Sequence, residues 1–231
     1  MNFNLTALAR AIFFPPRCLG CGKRIAAGVL CSTCHATVLV ARTLTCGECG
    51  DRLFGDKVNC HPDFPYLLGA AGSYENEALR SLVHALKFGR VRGAAEPLAG
   101  FLLEHARSLG TILDGGIVIP IPLSRPRERR RGFNQSELIA RPLAAGLGLP
   151  LSTEALLRVK HTKPQSETAN VRERKENIRG CFAVPDAALV RGQKIILVDD
   201  VTTSGATFLE AATTLKRAGA GSIFALAAAR A

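Results

Sequence analysis

Four apolar residues, Ile195 to Val198, run straight into Asp199-Asp200 and then into Val201-Thr202-Thr203-Ser204-Gly205-Ala206-Thr207. An apolar, β-branched run of this length reads as a buried parallel strand. Two acids at the end of such a strand are costly unless they meet donors, such as sugar hydroxyls, or a metal. The hydroxyls, the glycine and the amides of a following helix would then form a cradle for phosphate. A helix cap needs one hydroxyl. This segment has four, at Thr202, Thr203, Ser204 and Thr207, so a ligand site accounts for it better than a cap alone.

The flanking pattern sets the fold class. Lys194–Val198 is expected to be a strand, and Ala206 to about Ala218 a helix with Phe208, Leu209, Ala212 and Leu215 on one face. A strand returns over Ser222–Ala227. Upstream, Leu67–Tyr74 reads as a strand, Asn76–Phe88 and Ala94–Leu109 as helices, and Gly116–Ile121 as a buried strand. Ser136–Leu147 is helical, with short strands near Leu156–Val159 and Cys181–Val184. Strand and helix alternate, which predicts α/β with a mainly parallel sheet and ligands at the strands' carboxyl ends.

Before Phe64-Pro65 the composition differs. Seven of the eight cysteines lie within residues 18–60, in the pairs Cys18/Cys21, Cys31/Cys34 and Cys46/Cys49 and at the single Cys60. Each C-x-x-C turn aims two sulfurs at one point, and Gly22 and Gly50 follow two of them. Two knuckles nine residues apart complete a four-cysteine zinc site. Cys46, Cys49 and Cys60 give three ligands of a second site, with Asp63 or the nearby His61 as the fourth, so one or two Zn2+ are expected. Closed sites of this kind contribute folding energy rather than chemistry. The reading divides the chain into residues 1–65, an N-terminal helix and zinc ribbon, and residues 66–231, the α/β domain.

The chain has 231 residues and a formal net charge of +11. Residues 120–180 hold thirteen Lys/Arg against six Asp/Glu. An anionic partner is implied, and charge alone does not choose among phosphate, pyrophosphate and nucleic acid. Pro122–Gln135 concentrates Arg125, Arg127, Arg129, Arg130 and Arg131 after a strand. Guanidinium forks suit phosphate oxygens, and a solvated charge run is the alternative. Arg158–Arg179 reads either as a basic lid or as an exposed helix with charge pairs such as Arg172 with Glu176. No run reaches the ~18–20 apolar residues of a membrane span. Leu5–Phe14 is short, broken by Arg10 and closed by Pro15-Pro16, so a short helix and a cytoplasmic location are expected. His35, His84, His105 and Cys181 read as structural.

Ile195–Thr207 resembles the signature of the type I phosphoribosyltransferases. The cysteine-rich N-terminus, Leu86-Lys87-Phe88-Gly89, Arg129-Arg130-Arg131-Gly132-Phe133-Asn134-Gln135-Ser136 and Asn177-Ile178-Arg179-Gly180 extend the likeness to the ComF competence proteins over nearly the whole chain. The resemblance implies a type I phosphoribosyltransferase fold behind a double zinc ribbon. It implies that Asp199 and Asp200 hold the ribose hydroxyls of phosphoribosyl pyrophosphate. Thr202, Thr203, Ser204, Gly205, Ala206 and Thr207 would hold its 5-phosphate. Arg129, Arg130, Arg131, Asn134, Gln135 and Lys87 would serve the pyrophosphate, with Mg2+. It also implies a role in single-stranded DNA uptake with the DNA-uptake machinery. The chain departs from the pattern at Asp63, where a cysteine would close the last knuckle, and at Thr168, within a loop one residue longer than usual. Three functions stay open: a phosphoribosyltransferase, a binding protein using the same pocket without turnover, and a zinc-ribbon adaptor with an idle scaffold.

Overall fold

The computed structural model describes residues 16–53, 60–160 and 178–231. The expected N-terminal helix over Leu5–Phe14 and most of the basic stretch 158–179, including Thr168, lie outside the described residues.

A short helix, α1 (Ser32–Ala36), sits within the cysteine-rich segment, followed by β1 (Leu44–Cys46) and β2 (Arg52–Leu53). The chain then alternates: β3 (Leu67–Ser73), α2 (Glu77–Lys87), α3 (Ala95–Ser108), β4 (Ile117–Pro120), α4 (Arg125–Arg131) and α5 (Gln135–Leu147). A small antiparallel pair, β5 (Leu157–Arg158) with β6 (Phe182–Ala183), precedes β7 (Ile195–Thr202), α6 (Ala206–Arg217) and β8 (Ile223–Arg230).

The six-stranded sheet has the order β2-β1-β3-β8-β7-β4. Neighbours from β3 to β4 are parallel, and β1 and β2 join the β3 edge antiparallel. The mainly parallel α/β architecture expected from the sequence is therefore present. The sheet also crosses the composition boundary near residue 65, because Thr45 and Cys46 pair with Leu68 and Leu67.

Residue parity along the strands builds a core on each face. Ile196 and Val198 face one core with Leu82 and Leu86 of α2, Phe101 of α3 and Ile139 of α5. Ile195 and Leu197 face the other with Phe208, Ala212 and Leu215 of α6. Helix α2 starts where the Asn76 side chain accepts from the amides of Ala78 and Leu79 at 3.0 and 3.1 Å. Its apolar stripe, Leu79, Leu82, Val83 and Leu86, is fully buried, in keeping with a helix held by its packed face. That packing fixes Lys87, its last residue, at the carboxyl end of the sheet.

The structure corrects the sequence reading in two places. Asp199–Thr202 continues β7 instead of opening a loop, because β8 runs alongside as far as Arg230 and pairs with Thr202. Pro122–Gln135, given no element of its own in the sequence reading, is partly helical. It contains α4, with Pro126 in its first turn and Gly132, at φ +84°, ending it.

Candidate functional site

The site is built where β7 outruns its neighbour. β4 stops at Pro120, opposite Val198, so beyond that point the β4 side of β7 is open. The start of α5 fills the space. Asn134 donates from Nδ2 to the Ile121 carbonyl at 3.1 Å and accepts from the Ser136 amide at 3.1 Å, capping the helix. This places Ser136, fully buried, so that its hydroxyl donates to Asp199 Oδ1 at 2.7 Å. The Asp200 amide donates to the same oxygen at 2.9 Å.

Asp200 is 1% exposed. Its Oδ1 receives Lys87 Nζ at 3.0 Å and the Val201 amide at 2.8 Å. Its Oδ2 is buried and has no hydrogen-bond partner among the described residues. A buried carboxylate oxygen without a donor is costly, and a ligand hydroxyl or a cation would relieve that cost. Asp199 is half-buried. Desolvation, followed by the neighbouring Asp200 carboxylate, pushes its pKa up to about 7, against the opposing pull of Lys87, Ser136 and the Asp200 amide. Two adjacent acids that resist joint ionisation are poised to take positive charge or hydroxyl donors.

After Thr202, which is buried, the chain turns through an exposed Thr203 and half-buried Ser204 and Gly205 into α6. The helix begins after Gly205, which has no side chain with which to cap it. Gly205 has φ +70°, and a Cβ there would meet Tyr66 Oη at 2.6 Å. The Tyr66 hydroxyl itself reaches the Gly205 carbonyl at 3.4 Å, and burial raises its pKa to about 12, keeping it a donor.

The basic candidates separate. Arg129 and Arg130 are exposed on α4, whereas Arg131 is half-buried and donates to Gln135 Oε1. Burial lowers the Arg131 pKa, and the nearby Asp200 and Asp199 carboxylates oppose that shift. Asn134 is committed to the helix cap and to Ile121. Of the expected cations, Lys87 and Arg131 are thus brought to the acids, and Arg158 also interacts with the Asp199 charge. Beside them lies a cavity of about 420 Å³ whose lining includes Pro120, Pro122, Arg125, Asn134, Glu137 and Arg158. Arg158 stacks over the Phe182 ring at 5.5 Å. Sequence reading left out Ser136, Tyr66 and Arg158 as site residues. Ser136 ends the quoted Arg-Gly-Phe-Asn-Gln motif and could have been found there. Tyr66 lies 139 residues from its partner Gly205 and carried no local signal.

The cysteines gather in two groups, each with its donor atoms within 4.8 Å of one another: Cys18, Cys21, Cys31, Cys34 and Cys46, Cys49, Cys60, His61. Zinc with four sulfurs at ~2.3 Å in a tetrahedron requires sulfurs ~3.8 Å apart, and Cys21 Sγ lies 3.8 Å from Cys31 Sγ. The residues fit the metal. Burial favours the neutral Cys18 thiol, but the amides of Cys31, Cys21 and Gly20 outweigh it and bring its pKa to about 6. In the second group His61 Nδ1 is 3.4 Å from both Cys46 and Cys60 Sγ. Asp63 lies outside this group, beside Phe64 and Lys216 in another cavity. The fourth donor is therefore His61, not Asp63, because the turn after Cys60 aims the imidazole inward at once. The backbones of Gly22 and Gly50 have φ +72° and +79°, the left-handed turn that lets amides face the thiolates.

Comparison with known proteins bears on this geometry. Residues 134–230 match the phosphoribosyl transferase domain family, and residues 9–62 match the double zinc ribbon domain family. The DNA utilization protein YhgH of Salmonella typhimurium is 35% identical over 202 residues, covering 84% of this chain and 87% of that protein. The Escherichia coli K12 protein of the same name is 32% identical, covering 90% and 94%. Competence protein F of Haemophilus influenzae is 29% identical over 90% of this chain and 93% of its own length. The chain belongs to the ComF family. The matched stretches hold the two sets of candidate residues: the acids lie in the part matched to the phosphoribosyl transferase domain, within a type I phosphoribosyltransferase fold, and both cysteine clusters lie in the part matched to the ribbon.

Proposed function

We propose that this ComF-family protein binds phosphoribosyl pyrophosphate at the carboxyl end of β7 and acts in the cytoplasm in the handling of incoming single-stranded DNA. The carrying observation is the buried Asp200 Oδ2, left without a donor among the described residues, beside Asp199 and a glycine turn that enters α6. In this reading Asp199 and Asp200 accept from the two ribose hydroxyls, and the turn from Thr203 to Thr207 with the first amides of α6 takes the 5-phosphate. Lys87 is released from Asp200 as the sugar enters and, with Arg131, turns to the pyrophosphate. Arg125 and Arg158 line the adjoining cavity together with Glu128 and Glu137, and the two guanidiniums would serve phosphate oxygens. Mg2+ bound with the ligand would screen the pyrophosphate charge. The DNA role is supported by the names of the relatives and by the exposed arginines of α4. The ribbon and the α/β domain, divided near residue 65, act as a docking module and a ligand module.

Calorimetric titration with phosphoribosyl pyrophosphate and Mg2+ tests the pocket. Wild type should bind, and the Asp199→Asn, Asp200→Asn double variant should lose binding while its circular dichroism persists. Equal binding by the double variant would show that the pocket lies elsewhere. A pyrophosphate-release assay over free bases and single-stranded DNA then decides between binding and phosphoribosyl transfer.

A further inference from the structure

Phe88, the residue after Lys87, is 64% exposed. A single exposed apolar side chain ordinarily needs no explanation. Its setting is what asks for one. The His84 ring lies 4.9 Å from the Phe88 ring, one turn back along α2, and restricts it. Gly89 follows so closely that a Cβ there would meet the Ala85 carbonyl oxygen at 2.9 Å. Arg90 then adopts φ +54°, the one positive φ of a non-glycine among the described residues, a conformation disfavoured for side chains with a Cβ. The backbone thus reverses immediately after Phe88 and holds the ring at a corner. Arg92 secures the far side, donating to the Gly132 carbonyl at 2.8 Å and stacking over Phe133 at 5.1 Å. Through Gly132 this corner adjoins the end of α4.

The corner carries an exposed ring, with exposed cations next to it in the chain and on the helix that Gly132 ends. Lys87 reaches inward to Asp200 at 3.0 Å, while Arg90, Arg129 and Arg130 are exposed and form no ion pair among the described residues. An exposed ring among unpaired guanidiniums repels a cationic surface and attracts an anionic one. The anions that also carry flat apolar rings are nucleotides. Stacking on an aromatic side chain with phosphates on neighbouring cations is how single strands are held without sequence preference.

We infer that Phe88 is a stacking platform for a nucleobase at the rim of the acidic pocket, with Arg90 and the α4 arginines taking the adjoining phosphates. This deepens the nucleic-acid reading above and rests on it, but does not depend on phosphoribosyl pyrophosphate. The base could come from a strand or from a free nucleoside, and the experiment separates the two.

The chain has no tryptophan, so Phe88→Trp makes position 88 the single indole and a direct reporter. An oligothymidylate should quench its fluorescence, and an abasic phosphodiester of equal length should not. Quenching by free thymidine as well would assign the platform to small ligands too; quenching by the oligomer alone would assign it to the strand. Phe88→Ala should weaken oligothymidylate binding about ten-fold in fluorescence anisotropy. Equal quenching by the abasic chain, no quenching by oligothymidylate or thymidine, or unchanged affinity of Phe88→Ala overturns the inference. Anisotropy of the unmodified protein with labelled oligothymidylate reads the DNA role separately. Binding there without quenching at position 88 sinks this platform and leaves that role standing. All these titrations omit phosphoribosyl pyrophosphate, so their failure is distinct from failure of the sugar-phosphate pocket.

Discussion

At the scale of residues, the site conflicts with stability, and the conflict can be measured. Asp199 titrates at about 7 in the folded chain, against ~3.9 for an unperturbed aspartate. A raised folded pKa means that the folded state binds the proton more tightly than the unfolded state. The contribution is fully present below the unfolded pKa and is lost as pH rises through the folded one. The ligand-free protein should therefore lose stability between about pH 4 and pH 7 from this group. Asp199→Asn removes the charge that desolvation and Asp200 oppose, and keeps an acceptor for Ser136. Its melting temperature at pH 8 should exceed that of wild type by about 3 °C, with the difference vanishing near pH 4. Thermal melts across that range check it, and a wild type that is the more stable at pH 8 refutes it. Lys87→Met is the complementary case. It leaves Asp200 buried without its cation at 3.0 Å, and removing one partner of a buried pair costs about 3–5 kcal/mol. Urea midpoints should fall accordingly.

At the scale of elements, legibility followed range. The eight-residue β7 and the helix after it were readable because their signals, an apolar run, paired acids and a glycine, are local. The start of the loop was misplaced because β8 extends the strand to Thr202, and a strand's length is set by its neighbour. The same limit hid Tyr66, which shapes the turn from 139 residues away, and α4, whose seven residues carry too little apolar pattern to announce a helix. Knuckle spacing left Asp63 and His61 both open as the fourth ligand, while the fold decides for His61 by side-chain direction. The turn itself gives a sharp prediction. Gly205→Ala forces a Cβ at φ +70° and 2.6 Å from Tyr66 Oη. The backbone term alone costs about 1–2 kcal/mol, and the contact adds to it. Tyr66→Phe removes the oxygen that the Cβ would meet. Gly205→Ala should accordingly cost less stability in the Tyr66→Phe background than in wild type, a coupling that a double-mutant cycle in urea would detect. Strict additivity would mean that Tyr66 does not confine the turn.

At the scale of the molecule, the ribbon is part of the sheet's edge and not an appendage. Strand β1 contributes Cys46 to the second cluster while pairing with β3 through Thr45 and Cys46, and β3 pairs along its length with β8. Metal loss at that cluster frees the strand that covers the β3 edge. An uncovered edge offers unpaired amides and carbonyls to other chains. Zinc binding to a site that forms only on folding stabilises the folded state, so the ribbon's metal is linked to the stability and solubility of the whole domain. The ligand sets distinguish the two clusters. His61→Ala should lower zinc content by the share of the second cluster, and Asp63→Ala should leave it unchanged, as read by elemental analysis after gel filtration. The His61 variant should also melt earlier and aggregate more readily than wild type, because its vacancy lies at the strand that guards β3. Replacing Cys21 and Cys31 by Ser would empty the first cluster, whose four cysteines lie outside the sheet's strands. That loss should lower zinc content equally while disturbing the edge less. If the two variants aggregate alike, the coupling of the second cluster to the sheet is wrong, even if both sites hold zinc.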